Sequence, residues 1–127
     1  MPIVAQGNFR LLIEGRIIHN YPVGGFNAQG IMHLADDIVS AAPPSGDWVL
    51  FEHPKADAAL TEDGMQAIRM MYEILTERGC VAIGLELEPE LGAQLQKEVL
   101  NGLSIPSMVE TDEVAIEAFL ARILDDD

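Results

Sequence analysis

A chain of 127 residues with 49% hydrophobic side chains has enough apolar material to fill one core, and 21 Asp and Glu against 7 Lys and Arg leave it a net charge of −14. A surface of that sign repels nucleic acid and anionic membrane faces within a Debye length of about 8–10 Å, and it favours basic partners. The single cysteine, Cys80, excludes an internal disulfide and any paired-cysteine metal or redox motif.

The first residues, MPIVA, lack the basic start and long apolar stretch of a secretion signal. Residues 17–35 contain no Asp, Glu, Lys or Arg, but His19, Asn20, Pro22, Gly24 and Gly25 interrupt them too often for a bilayer span. A single cytoplasmic domain is expected. Residues 2–6 read as a weak edge strand, turned by Gly7-Asn8 into residues 9–18 (FRLLIEGRII), where Phe9, Leu11 and Ile13 alternate with Arg10 and Glu14. Gly15 reads as a bulge in that strand, and residues 19–26 (HNYPVGGF) as a loop. Asn27 can cap a helix with Ile31, Leu34, Ala35, Ile38, Val39 and Ala42 inward and His33, Asp36, Asp37 and Ser40 outward. Pro43-Pro44-Ser45-Gly46 ends it.

The strongest pattern follows. WVLFE at residues 48–52 and CVAIGLEL at residues 80–87 are apolar runs of strand character. Between them Ala67, Ile68, Met71, Ile74 and Leu75 share one side of a helix, and Gln66, Arg69, Glu73 and Glu77 the other. Thr61 caps its start, Glu62 and Asp63 suit its dipole, and Gly79 suits a left-handed C-terminal residue. Two apolar strands joined through a helix predict a right-handed crossover between parallel strands. Pro89 opens a further helix with a narrow stripe of Leu91, Leu95 and Val99, ended by Asn101-Gly102. Residues 104–109 form a short strand that Pro106 places at a sheet edge. Thr111 caps a last helix carrying Ile116, Phe119, Leu120, Ile123 and Leu124, and residues 125–127 form an acidic tail. The pattern as a whole predicts an α/β fold: a mixed, largely parallel sheet of four or five strands with four helices.

The search for chemistry gives less. His33 lies on an outward helix face. His53 ends a strand, where open α/β sheets carry functional residues, but only Glu52 and Asp57 stand near it in sequence. His19 precedes the glycine pair, and a structural hydrogen bond is expected of it. Glu62 and Asp63 at a helix N-terminus would repel a phosphate, and no dinucleotide or nucleotide glycine pattern is present. No spacing selects two carboxylates as acid and base, so the residues point to a non-enzyme without cofactor or metal. One alternative is a small-molecule site in the loop at residues 21–26, with Tyr21, Phe26 and His53 as its contacts. Another is an enzyme assembled wholly from tertiary contacts.

Three short motifs add a resemblance: Glu14-Gly15-Arg16-Ile17, Arg78-Gly79-Cys80-Val81-Ala82-Ile83-Gly84 and Leu100-Asn101-Gly102-Leu103. With the order of elements over roughly residues 9–124, they make the chain resemble the STAS domain family, the fold of anti-sigma-factor antagonists of the SpoIIAA type and of the cytosolic part of sulfate transporters. Signalling members carry Asp-Ser-Ser-Gly at the start of the central helix, the first serine being the phosphoacceptor. Here Thr61-Glu62-Asp63-Gly64 occupies that place, with Glu62 at the acceptor position. The resemblance thus implies a regulatory, protein-binding module whose partner surface comprises Thr61, Glu62, Asp63 and Met65 and carries permanent charge in place of a phosphoserine. Met65 and Met70, on the rim and the polar side of that helix, also suggest a homodimer surface. A receiver domain is excluded, because His19-Asn20, His53 and Glu110 stand where its acidic pair, aspartate and lysine belong.

Overall fold

The computed structural model describes residues 7–55 and 57–125; the strand expected at residues 2–6 lies outside them, as does the acidic tail expected at residues 125–127 apart from Asp125, which is the last residue of a helix. The first two strands, β1 (Asn8–Glu14) and β2 (Ile17–Val23), form an antiparallel hairpin. Residues 9–18 are therefore two strands, not one. Gly15 has φ +61°, and no described non-glycine residue has positive φ, so Gly15-Arg16 has the pattern of a tight II′ turn whose twist matches the strands it joins. The expected loop at residues 19–26 is likewise mostly strand: β2 runs to Val23, and β3 (Gly25–Phe26) follows. Pro22 fits because the ladder between β2 and the next strand of the sheet ends at Asn20, so no partner there needs its missing N–H.

Helix α1 (Ala28–Ala41) starts at Asn27, whose side chain accepts a hydrogen bond from the Gly30 N–H at 2.8 Å. It buries Ile31, Leu34, Ala35 and Ile38 as the periodicity predicts. Strand β4 (Trp48–Glu52) is buried along its whole length. After β5 (Ala59–Leu60) comes α2 (Glu62–Glu77), capped by Thr61 and followed by Gly79 at φ +107°. Strand β6 (Cys80–Glu86) leads to α3 (Pro89–Leu95), which runs directly into a π-helical turn, Gln96–Leu100. Arg69 of α2 closes that turn, donating to the carbonyls of Val99 at 2.9 Å and Asn101 at 2.7 Å. The chain ends with β7 (Ser107–Glu110) and α4 (Glu113–Asp125). Asp112, and not Thr111, caps α4: its carboxylate accepts from Val114 N at 3.0 Å and Ala115 N at 3.3 Å. A carboxylate is the stronger acceptor for these two amides and also suits the helix dipole.

The main sheet has the order β1-β2-β4-β6-β7, with β2, β4, β6 and β7 parallel. Among the described residues this is an α/β fold with a five-stranded, mostly parallel mixed sheet and four helices. Alternation along β4 divides the core. Trp48 and Leu50 join α1 and α2 residues such as Ile38, Met71 and Leu75 on one face, while Val49 and Phe51 meet Ile116 and Leu120 of α4 on the other. Gly84 of β6 lets α4 come close: a Cβ there would lie 2.3 Å from Ile116 Cγ2. A second, two-stranded parallel sheet pairs β3 with β5 beyond the C-terminal end of β2 and β4. Among the described residues, no helix is long and apolar enough to cross a membrane.

Candidate functional site

Two dipeptides define the site. His19-Asn20 on β2 and Glu52-His53 at the end of β4 lie on neighbouring strands, with Asn20 directly opposite Glu52 and His19 opposite Phe51. Successive strand residues point to opposite faces, so the sheet carries an Asn–Glu pair toward α1 and α2 and a His–His pair on the other side.

On the first face, a cavity of about 290 Å³ opens at the C-terminal ends of the strands. Asn20 and Glu52 line it from the sheet, and Phe26, Leu34, Leu60, Met65, Ile68, Leu85, Leu91 and Leu95 make most of the wall. β3, β5 and α3 thus wall what the strand ends would otherwise leave bare, and the space stays partly open to solvent, with Leu91 at 55% exposure on its rim. Its size is at the small end of ligand clefts, which run from about 300 to 1,000 Å³. Glu52 is 4% exposed, and its Oε1 accepts a hydrogen bond from the Tyr72 hydroxyl at 3.2 Å. Burial pushes the Glu52 carboxyl up to about 7, the Tyr72 bond offsetting only part of the rise. Burial, reinforced by the adjacent Glu52, holds the Tyr72 phenol well above its ordinary range. Asn20 is fully buried, yet neither its Oδ1 nor its Nδ2 has a hydrogen-bond partner among the described residues. An unmet buried polar group costs about 1–3 kcal/mol.

On the opposite face, His19 Nδ1 and His53 Nε2 are 2.9 Å apart. His19 Nε2 lies 3.2 Å from Glu14 Oε1, and His53 Nδ1 lies 3.7 Å from Glu86 Oε1. With both rings neutral, His19 donates its Nε2–H to Glu14 and accepts at Nδ1 from the Nε2–H of His53. A second proton on the pair would sit on His53 Nδ1, toward Glu86. Burial, with His19 and Lys55 adding repulsion, lowers the pKa of His53 to about 4. Burial and the nearby Glu113 raise that of Glu86. Tyr21 stacks on His53 at 4.6 Å between centroids, Phe51 lies 3.9 Å from it, and Arg10 stands over Tyr21 at 5.1 Å. Both imidazoles are packed inside aromatic rings and hold their shared proton away from solvent.

The residues expected of a loop site are thus divided by the sheet: Phe26 lines the cavity, whereas Tyr21 and His53 belong to the histidine face. Thr61 Oγ1 accepts from the Gly64 N–H at 3.1 Å and lies within hydrogen-bond reach of the Phe26 carbonyl and the Asp63 carboxylate, so its hydroxyl is engaged in the helix start. Glu62 and Asp63 are exposed there. Met65 is half-buried in the cavity wall, and only Met70, at 56% exposure, lies open on the helix surface. Cys80 is a buried thiol whose pKa burial pushes up to about 12. Asn20, Glu52 and Tyr72 are not predicted as a group from the sequence. A signal was present: Glu52 ends a strand of otherwise apolar residues, and Tyr72 follows Ile68 by one helical turn on the buried face of α2.

Among the described residues, no group of three or more His, Cys, Asp or Glu side chains is arranged to hold a metal ion. Comparison with known proteins finds no matching family model, curated protein or solved structure.

Proposed function

We propose that the protein binds a small, largely apolar molecule in the cavity between the sheet, α2 and α3. One observation carries this reading: Asn20 sits fully buried at an apolar cavity with both halves of its carboxamide unmet. A leucine at that position would fill the same space without two unpaired groups, so a polar side chain there makes physical sense if a guest satisfies it. The apolar wall supplies affinity and the polar floor supplies orientation. The test is an NMR titration with 1-octanol as probe, following the Asn20 side-chain amide and the methyl groups of Met65, Ile68 and Leu85. Saturable shifts confined to these groups, lost when Met65→Trp fills the wall of a folded protein, are expected. Absence of saturable shifts in the folded wild type would refute the proposal.

A second reading, the STAS-like partner surface, is favoured by one observation: Glu62 and Asp63 are both exposed at the start of α2, next to the segment that walls the cavity. With Thr61 engaged in the cap, its carrier would be the fixed charge of the two carboxylates. Neutralising both, as Glu62→Gln with Asp63→Asn, should then abolish capture of a basic protein partner by a fold that remains intact.

A further inference from the structure

We infer that the guest carries an uncharged head in which a hydrogen-bond donor stands beside an acceptor, as in a primary amide, and that this head pairs with the carboxamide of Asn20. This inference rests on the cavity being a binding site and narrows what it takes. Asn20 has an acceptor, Oδ1, and a donor group, Nδ2, and both are unmet. A hydrocarbon meets neither. An ammonium head supplies donors only and leaves Nδ2 unpaired, and a carboxylate supplies acceptors only and leaves Oδ1 unpaired. A primary amide offers both at the same spacing as Asn20 itself, so the two can close a ring of two N–H···O bonds once the Asn20 side chain, whose Oδ1 and Nδ2 are sealed even from water, turns into the cavity.

Charge narrows the choice further. Glu52 lies directly across from Asn20 on the cavity floor, and an anionic head would bring a second carboxyl group beside it in an apolar enclosure. The net charge of −14 also lowers the local concentration of anions. That charge would favour a cationic head, which is excluded only because it leaves Nδ2 unpaired; the head that meets both conditions is neutral. Phe26, Ile68 and Leu85 leave the rest of the guest an apolar course. A space of about 290 Å³ corresponds to roughly ten water volumes at ~30 Å³ each, which suits a short chain or a single ring.

Octanamide, octylammonium, octanoate and 1-chlorooctane, titrated at pH 6.5 and followed by NMR, share a chain and differ in the head. Octanamide is expected to bind about tenfold or more tightly than 1-chlorooctane, as two net hydrogen bonds would provide, and the two ions more weakly than either. The Asn20 side-chain amide resonance should move with octanamide and stay with 1-chlorooctane. Asn20→Leu should bring the two neutral ligands to equal affinity while 1-chlorooctane binding persists. Should that variant not fold, the wild-type series and the Asn20 resonance decide alone. Equal binding of octanamide and 1-chlorooctane, or strongest binding of octylammonium or octanoate, would overturn the assignment of the head while leaving the cavity a binding site. Binding of none of the four would overturn both.

Discussion

Glu52 and His53 are neighbours in the chain and opposites in their response to pH. The carboxyl of Glu52 titrates near 7 in the fold against 4.5 for the free group, so the native state holds this proton more tightly than the unfolded chain does. Its contribution to stability is complete below pH 4.5 and is lost as pH rises through 7. The interval corresponds to on the order of 3 kcal/mol. His53 is lowered to about 4 from 6.5, so its contribution is complete above pH 6.5 and is lost as pH falls through 4. Between pH 4.5 and 6.5 the two slopes oppose each other and flatten the profile. Glu52→Gln removes one of them: urea denaturation should show the variant gaining on the wild type between pH 5 and 8, by up to that order of magnitude, with its own stability rising over the lower half of the range. None of this could be read from two adjacent letters. The sequence shows a Glu and a His at a strand end; opposite environments follow only once the faces are known to be divided between a cavity and an aromatic stack.

At the scale of elements, patterns whose cause is local were legible and those imposed by pairing were not. The caps at Asn27 and Thr61, the buried stripes of α1 and α2, and the strand at Trp48–Glu52 all depend on residues within a turn or two of each other, and they stand where periodicity places them. The hairpin is not legible in the sequence because apolar residues resume at Ile17-Ile18 just past Gly15-Arg16, as in one interrupted strand, and the polar run HNYPV has no strand character of its own. It becomes a strand because β1 pairs with its whole length and β4 with its first half. The start of α4 offers a direct check between the expected and the observed cap. Asp112→Ala should cost about 1 kcal/mol in chemical denaturation, within the usual range of about 0.5–2, whereas Thr111→Ala should leave the midpoint unchanged. A loss at Thr111 and none at Asp112 would contradict the hydrogen bonding described.

For the molecule as a whole, alternation of apolar strands with amphipathic helices was enough to read the α/β class and the parallel centre of the sheet, because covering both faces of such a sheet demands that sequence pattern. The cavity was not legible, since its walls come from six separate segments and its floor from two residues that face each other only through strand register. One of those walls depends on its length counted in residues. The turn at Gln96–Leu100 closes with the Asn101 N–H bonded to the Gln96 carbonyl at 2.9 Å, five residues back where an α-helix would use four. It is a helix with one surplus residue. Loss of a single codon would erase the surplus, and Lys97, exposed within the turn as Gln96 and Glu98 are, can be removed without taking a buried side chain from the core. With the clasp of Arg69 holding the far end, α3 would turn by about 100° about its axis and carry Leu91 and Leu95 away from the cavity. A one-residue deletion that leaves the circular dichroism spectrum almost unchanged and abolishes saturable 1-octanol binding is the expected signature: the number of residues sets this wall as much as the chemistry of its side chains does.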